Sequence, residues 1–207
     1  MARSSKGVLR ALESVGVKFD LSGMENLRSF DGPCVLVSNH MSTLETLCFP
    51  GIILPFKRVT FVVKESLLRY PVFKHIMRAM KAIGVNRRNP REDLRAVLAN
   101  GGRMLEDGMS VVVFPQTTRT TEFDPSDFNS LGVKLARRAG VPVVPVAVKT
   151  DAWGVGPSFM KDVGRIDASK TVRMCFGRPL AVEGRGDAEH GKVVEFIGSR
   201  LEEWSSL

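Results

Sequence analysis

The sequence predicts an α/β domain, a sandwich in which helices flank a mixed, largely parallel central sheet. Three observations predict it. Short apolar, β-rich runs recur along the chain: PCVLVSN (33–39), VTFVVKE (59–65), SVVVFPQ (110–116) and PVVPVAVKT (142–150), each with the length and composition of a buried strand. Helical patterns separate them, and such alternation implies a sheet covered on its faces. The chain has 207 residues, 43% hydrophobic and 25% charged, which suits a single ordinary globular domain over 1–207.

The elements are expected in this order. Residues 1–30 hold an amphipathic helix and its lead-in: Val8, Leu9, Leu12, Val15 and Phe19 form one stripe beside Arg3, Lys6, Arg10 and Lys18. That stripe suits either a membrane interface or the protein's own core. Residues 33–150 carry the four strands. Between them, helical patterns run from Ser42 toward Leu54, from Leu67 to Met80, from Arg91 to Glu106 before Gly108, and from Phe128 to Ala139 before Gly140. Residues 151–207 add a Gly- and Asp-rich loop, a strand in TVRMCFG (171–177), and a last helix with Val194, Ile197, Leu201 and Trp204 at helical spacing.

Composition narrows the function classes. The net charge is +8, with twelve Lys and Arg against three acids between Lys57 and Arg103. A basic face of this kind suits phosphates on lipid headgroups, on nucleic acid or on a soluble ligand. One Tyr and two Trp leave little to stack on bases, so nucleic acid is not an expected partner. The run LETLCFPGIILPF (44–56) is broken by Pro50, Gly51 and Pro55, short of the roughly 18–20 apolar residues that span a bilayer. The N-terminus has no sustained apolar stretch of a secretory leader. Cys34, Cys48 and Cys175 are far apart, without a C-x-x-C pair, and read as buried thiols in a reducing compartment. The expected location is cytoplasmic, peripheral at the inner face of the membrane. No metal is expected, since His, Asp, Glu and Cys do not cluster at ligand spacing.

Two constellations carry chemistry. Ser38-Asn39-His40-Met41-Ser42-Thr43-Leu44-Glu45 sets an imidazole at a strand end and a carboxylate five residues on. Histidine titrates near neutrality, and an adjacent carboxylate fixes its tautomer and stabilises the imidazolium, so the pair suits a general base acting on a hydroxyl. Ser42 and Glu45 also have the spacing of a capping box, in which Glu45 only satisfies backbone N–H groups. The second constellation is the turn Gln116-Thr117-Thr118-Arg119-Thr120-Thr121 after a buried strand. Its arginine offers a bidentate fork to phosphate oxygens, and hydroxyls such as that of Thr118 add donors.

These residues resemble the glycerolipid acyltransferases of the lysophosphatidic acid acyltransferase type. That family carries N-H followed by four residues and Asp, a basic segment ending in Arg, F-P-E-G-T-R-S, and a V-P-[IV]-x-P-V strand. Here NHMSTLE, KAIGVNR, FPQTTRT and VPVVPV occur in that order between Pro33 and Thr150. The resemblance implies the glycerolipid acyltransferase fold, and an enzyme that moves a fatty acyl group from acyl-CoA or acyl carrier protein to a hydroxyl of a lysophospholipid such as 1-acyl-glycerol-3-phosphate. His40 then corresponds to the general base and Glu45 to the family's Asp. Arg87 and Arg119 correspond to binders of the acceptor's phosphate, and Lys64 is similar to a lysine that adds charge to that site. No cofactor is implied beyond the acyl donor as co-substrate. Two departures bear on the acceptor: Glu45 stands for Asp, and Gln116-Thr117 for Glu-Gly. They keep open an aminolipid or glycolipid precursor as acceptor, and a noncatalytic protein that binds phosphorylated lipid.

Overall fold

The computed structural model describes residues 2–69, 74–86, 88–116, 118–154 and 164–206. Seven strands, β1 (Phe19–Ser22), β2 (Val35–Ser38), β3 (Val59–Lys64), β4 (Ile83–Val85), β5 (Ser110–Val113), β6 (Val143–Lys149) and β7 (Val172–Phe176), form one sheet in the order β1-β7-β6-β2-β5-β3-β4. Five of the six pairings are parallel, and β6 with β7 is antiparallel. The carboxyl ends of β2 through β6 therefore share one edge, where sites gather in sheets of this kind. Central β2 pairs with β5 on one side and β6 on the other, Val35 lying opposite both Val111 and Val143.

Burial on both faces explains the continuous apolar runs of β2, β5 and β6. Leu36, Val112, Val144 and Val146 pack on one face, against α2 (Leu44–Ile53) and α1 (Ala2–Ser14). Val35, Val37, Val111 and Val113 pack on the other, beneath α5 (Pro90–Glu106), α6 (Leu131–Ala139) and α7 (Asp187–Ser205). Two short helices, α3 (Glu65–Arg69) and α4 (Lys74–Ala79), lie between β3 and β4 in the chain. Helix α2 is apolar all round because α1 covers the side that the sheet does not, the pattern of an enclosed core helix. Helix α6 closes on β2 at Gly132, where a Cβ would fall 2.4 Å from Val37 Cγ2.

Several expectations shift. Strands β1 and β4 lie in segments not assigned as strands, with only four and three residues at the two sheet edges. The helix expected from Ser42 begins at Leu44, and the one expected from Phe128 begins at Leu131. A 3-10 turn at Pro125–Asp127 comes first, with Phe128 extended and buried after it. The pattern from Leu67 to Met80 divides between α3 and α4, and 70–73, with Phe73, lie outside the described residues. Most of the N-terminal stripe faces inward: Leu12 is buried, Val8 and Leu9 pack on the core, and Phe19 belongs to β1, whereas Val15 is exposed. Among the described residues no helix is long and apolar enough to cross a membrane.

Candidate active site

His40 leaves the end of β2 two residues after Ser38, and the residue between them anchors it. Asn39 donates from Nδ2 to the Val148 carbonyl and accepts the Val148 N–H at Oδ1, both at 2.8 Å. A buried side chain thereby continues the β2–β6 ladder one residue past its end. On the other side, the His40 N–H donates to Gln116 Oε1 (2.7 Å), and the Thr120 N–H donates to the His40 carbonyl (3.0 Å). The His40 ring stacks on Phe114 with centroids 4.2 Å apart, and its side chain keeps 15% of its accessible surface.

Glu45 sits in the first turn of α2 and is fully buried. Its Oε1 accepts from His40 Nδ1 (2.8 Å), Met41 N–H (2.7 Å) and Ser42 N–H (2.9 Å). Oε2 accepts from the hydroxyls of Thr150 (2.8 Å) and Ser42 (3.0 Å). The two readings left open for Glu45 thus coexist in geometry: it accepts the backbone N–H of Ser42, and it holds His40. Burial pushes its carboxyl up, but the His40 hydrogen bond and charge, with the Ser42 N–H, outweigh that and hold it below the ordinary range. A carboxylate at Nδ1 requires the proton there, which leaves Nε2 as the lone-pair nitrogen of a partly exposed side chain.

Of the remaining expected residues, Arg119 and Thr118 follow, and Lys64 closes, strands that end at the same edge. Arg119 is half-buried after β5, and its guanidinium donates to Thr43 Oγ1 beside the start of α2. Thr118 is exposed in the same turn. Lys64 ends β3, exposed, two strands from β2. Arg87 lies outside the described residues. Pro145 pairs with Val37 inside the sheet, and the Pro142 carbonyl accepts the Val35 N–H, so both prolines serve the β2–β6 junction. The Leu, Ile and Phe residues of 44–56, together with Leu67 and Leu68, belong to the core or pack on it.

A cavity of about 380 Å³ opens on the α5 and α6 side of this edge. Phe114 and Gln116 line it as well as touching His40. The cysteines stay out of the chemistry. Cys34, Cys48 and Cys175 are buried free thiols; burial pushes Cys34 to about 11, and burial together with the Glu45 charge pushes Cys48 higher. Four contributors, Asn39, Phe114, Thr150 and the Gln116 tether, were not legible as site residues. The apolar run PVVPVAVKT ends at Thr150, but only the fold brings it to Glu45, 105 residues away in the chain.

The chain resembles known proteins in both sequence and fold. A family model described as Acyltransferase matches residues 18–149. A 1-acyl-sn-glycerol-3-phosphate acyltransferase of Pseudomonas aeruginosa is 29% identical over 191 residues, covering 92% of this chain and 68% of the relative. A chloroplastic protein of the same name from Brassica napus is 33% identical over 131 residues, covering 63% and 37%. The crystal structure of the 1-acyl-sn-glycerophosphate (LPA) acyltransferase PlsC from Thermotoga maritima superposes with a TM-score of 0.72 at 22% identity, over 100% of this chain and 78% of that one. It shares the fold. With more than half of its length matched by the family model, the chain belongs to the acyltransferase family, and its curated relatives are O-acyltransferases.

Proposed function

We propose that the protein transfers a fatty acyl group from a thioester donor, acyl-CoA or acyl carrier protein, to the free hydroxyl of a lysophospholipid such as 1-acyl-glycerol-3-phosphate. The observation that carries this is the 2.8 Å contact between His40 Nδ1 and Glu45 Oε1, which leaves Nε2 to act. Nε2 takes the acceptor's hydroxyl proton as the oxygen attacks the thioester carbonyl. The tetrahedral intermediate collapses, the carbon–sulfur bond breaks, and the imidazolium returns the proton to the leaving thiolate. Glu45 stabilises the transient imidazolium without accepting its proton. The names of the relatives support this acceptor.

Arg119 and Arg87 hold the acceptor's phosphate, with Thr118 adding a donor and Lys64 adding charge; the half-buried position of Arg119 beside Thr43 supports its part. Holding the anionic end while His40 addresses the hydroxyl supplies much of the rate through proximity. The protein works peripherally at the inner membrane face, a reading that rests on its basic middle third. The test is thiol release from a long-chain acyl-CoA, and in parallel from acyl carrier protein, with lysophosphatidic acid as acceptor, in wild type and His40→Ala. Acceptor-dependent release that the variant loses is the expected result. If neither donor releases thiol with this or any other lyso-lipid acceptor, the enzyme reading is wrong and phosphorylated-lipid binding replaces it.

A further inference from the structure

We infer that Phe114 is a positioning residue whose ring face carries the positive charge formed on His40 during acyl transfer. The inference rests on the acyl-transfer reading above. One contact of His40 lies outside its hydrogen bonds. The His40 and Phe114 rings are stacked, with centroids 4.2 Å apart and planes inclined by 21°. Glu45 meets the same imidazole from another direction, through Nδ1 at the ring's edge. The carboxylate therefore fixes one nitrogen, and Phe114 covers a face.

The core sets the orientation of Phe114. It follows β5, whose residues Val111, Val112 and Val113 are fully buried, and is itself half-buried where the chain leaves the sheet. Phe49 of α2 lies nearly parallel to it, with centroids 6.1 Å apart and planes inclined by 11°, the offset arrangement that aromatic pairs prefer. Phe49 is fully buried and touches Phe61 and Phe176 in turn. Packing alone does not call for an aromatic ring beside His40, since a leucine would also fill an apolar gap. What an aromatic ring adds is the negative side of its quadrupole, which attracts a cation held over the face within about 6 Å. A neutral imidazole gains only packing from this contact. The attraction appears as Nε2 takes the acceptor's proton, and only an interaction that strengthens in the transition state raises the rate. The His40 side chain keeps 15% of its surface, so water screens the charge only in part. Glu45 and Phe114 thus support one charge from two directions, and neither takes the proton.

Fluorination separates the ring's electrons from its shape. Mono-, di- and trifluorinated phenylalanine, introduced at position 114 alone in the full chain, withdraw electron density from the face in steps while nearly preserving the volume. Thiol release from a long-chain acyl-CoA with lysophosphatidic acid is followed in a single turnover, so that product release does not hide the chemical step. The rate should fall with each fluorine, by about tenfold over the series, the scale of a cation–π contact in a partly desolvated site. The acceptor's KM and the Tm should stay near wild type.

Two ordinary variants accompany the series. Phe114→Tyr keeps an electron-rich face and should retain most of the rate. Phe114→Leu keeps apolar bulk without the face and should lose about tenfold in kcat, with the acceptor's KM little changed; if it fails to fold, the fluorinated series still decides. A rate that stays flat across the series overturns the inference and leaves Phe114 as packing, even where Phe114→Leu is slow. A rate that follows Tm instead of fluorine count overturns it too. So does a rise in the acceptor's KM at unchanged rate, because the ring would then touch substrate. A wild-type protein inactive with every donor defeats the acyl-transfer reading and removes this role with it, whereas an active wild type with a flat series removes the role alone.

Discussion

The two sides of β2 differ in how they use polar groups. Toward β6, the polar side chains point at one another: Asn39 closes two hydrogen bonds on Val148, and Glu45 accepts five, from His40, Met41, Ser42 twice and Thr150. Toward β5, Gln116 spends one end on His40 and turns the other to a cavity, Arg119 is half-buried, and Thr118 is exposed. A general base works only with its tautomer and orientation fixed before substrate arrives, whereas recognition needs donors that substrate can still reach. Under the proposed mechanism, the chemistry of these polar groups falls to the β6 side and their binding to the β5 side, and substitutions on each should fail differently.

The largest effect is expected at His40. His40→Ala should lower kcat by about 10³-fold, within the range general-base catalysis contributes, with the acceptor's KM nearly unchanged in steady-state assays. Glu45→Gln follows, at about 10²-fold or more, because an amide neither fixes the tautomer nor stabilises the imidazolium. It also has a signature in stability. The folded carboxyl of Glu45 lies below its ordinary value, so its contribution is present above the unfolded carboxyl pKa and is lost as pH falls through the folded one. The gap in Tm between wild type and Glu45→Gln should narrow as pH is lowered from neutrality into the acid range. A gap that widens toward acid would contradict an ionised Glu45.

On the binding side, Arg119→Ala should act on the acceptor. We expect its KM to rise about tenfold or more, the scale of a lost charge-assisted hydrogen bond, with kcat at saturating acceptor much less affected. Equal losses in kcat for Arg119→Ala and His40→Ala would erase the distinction between the two sides.

What the sequence disclosed follows the same division. Buried strands such as VLVS and SVVV are legible because both faces are apolar, so no alternation has to be interpreted. Strands β1 and β4 are not: FDLS carries two polar residues in four, and IGV is three residues long, so pairing with β7 and β3 creates them. The His40–Glu45 pair is legible because it is local in sequence. Its capping and dyad readings could not be separated there, since both use the same carboxylate oxygen. Gln116 and Thr150 act on residues 76 and 105 positions away, and only strand order makes such partners. The stripe of α1 pointed equally to membrane and core; α2, too apolar to leave one side in water, decides for the core.

Thr150 gives the finest test of the β6 side. Its hydroxyl is fully buried and donates to Glu45 Oε2 at 2.8 Å, while the Ser42 hydroxyl lies 3.0 Å from both. Ser42 has a single proton for these two acceptors, so without Thr150 it alone serves Oε2. Thr150→Val keeps the shape of the side chain and removes that donor from a carboxylate with no access to water. Stability should fall by about 1–3 kcal/mol, the cost of a buried group losing a partner. A carboxylate less firmly held lets the His40 ring turn, so kcat should fall about tenfold, a modest share of what the base contributes, while the acceptor's KM stays near wild type. Thr150→Ser retains the hydroxyl and should recover most of kcat even if the missing methyl group costs some stability. Recovery of Tm without recovery of kcat would show that Thr150 packs against the dyad without orienting it. Recovery of kcat at a still-lowered Tm would show that the hydrogen bond, and not the packing, holds Glu45 in position for His40.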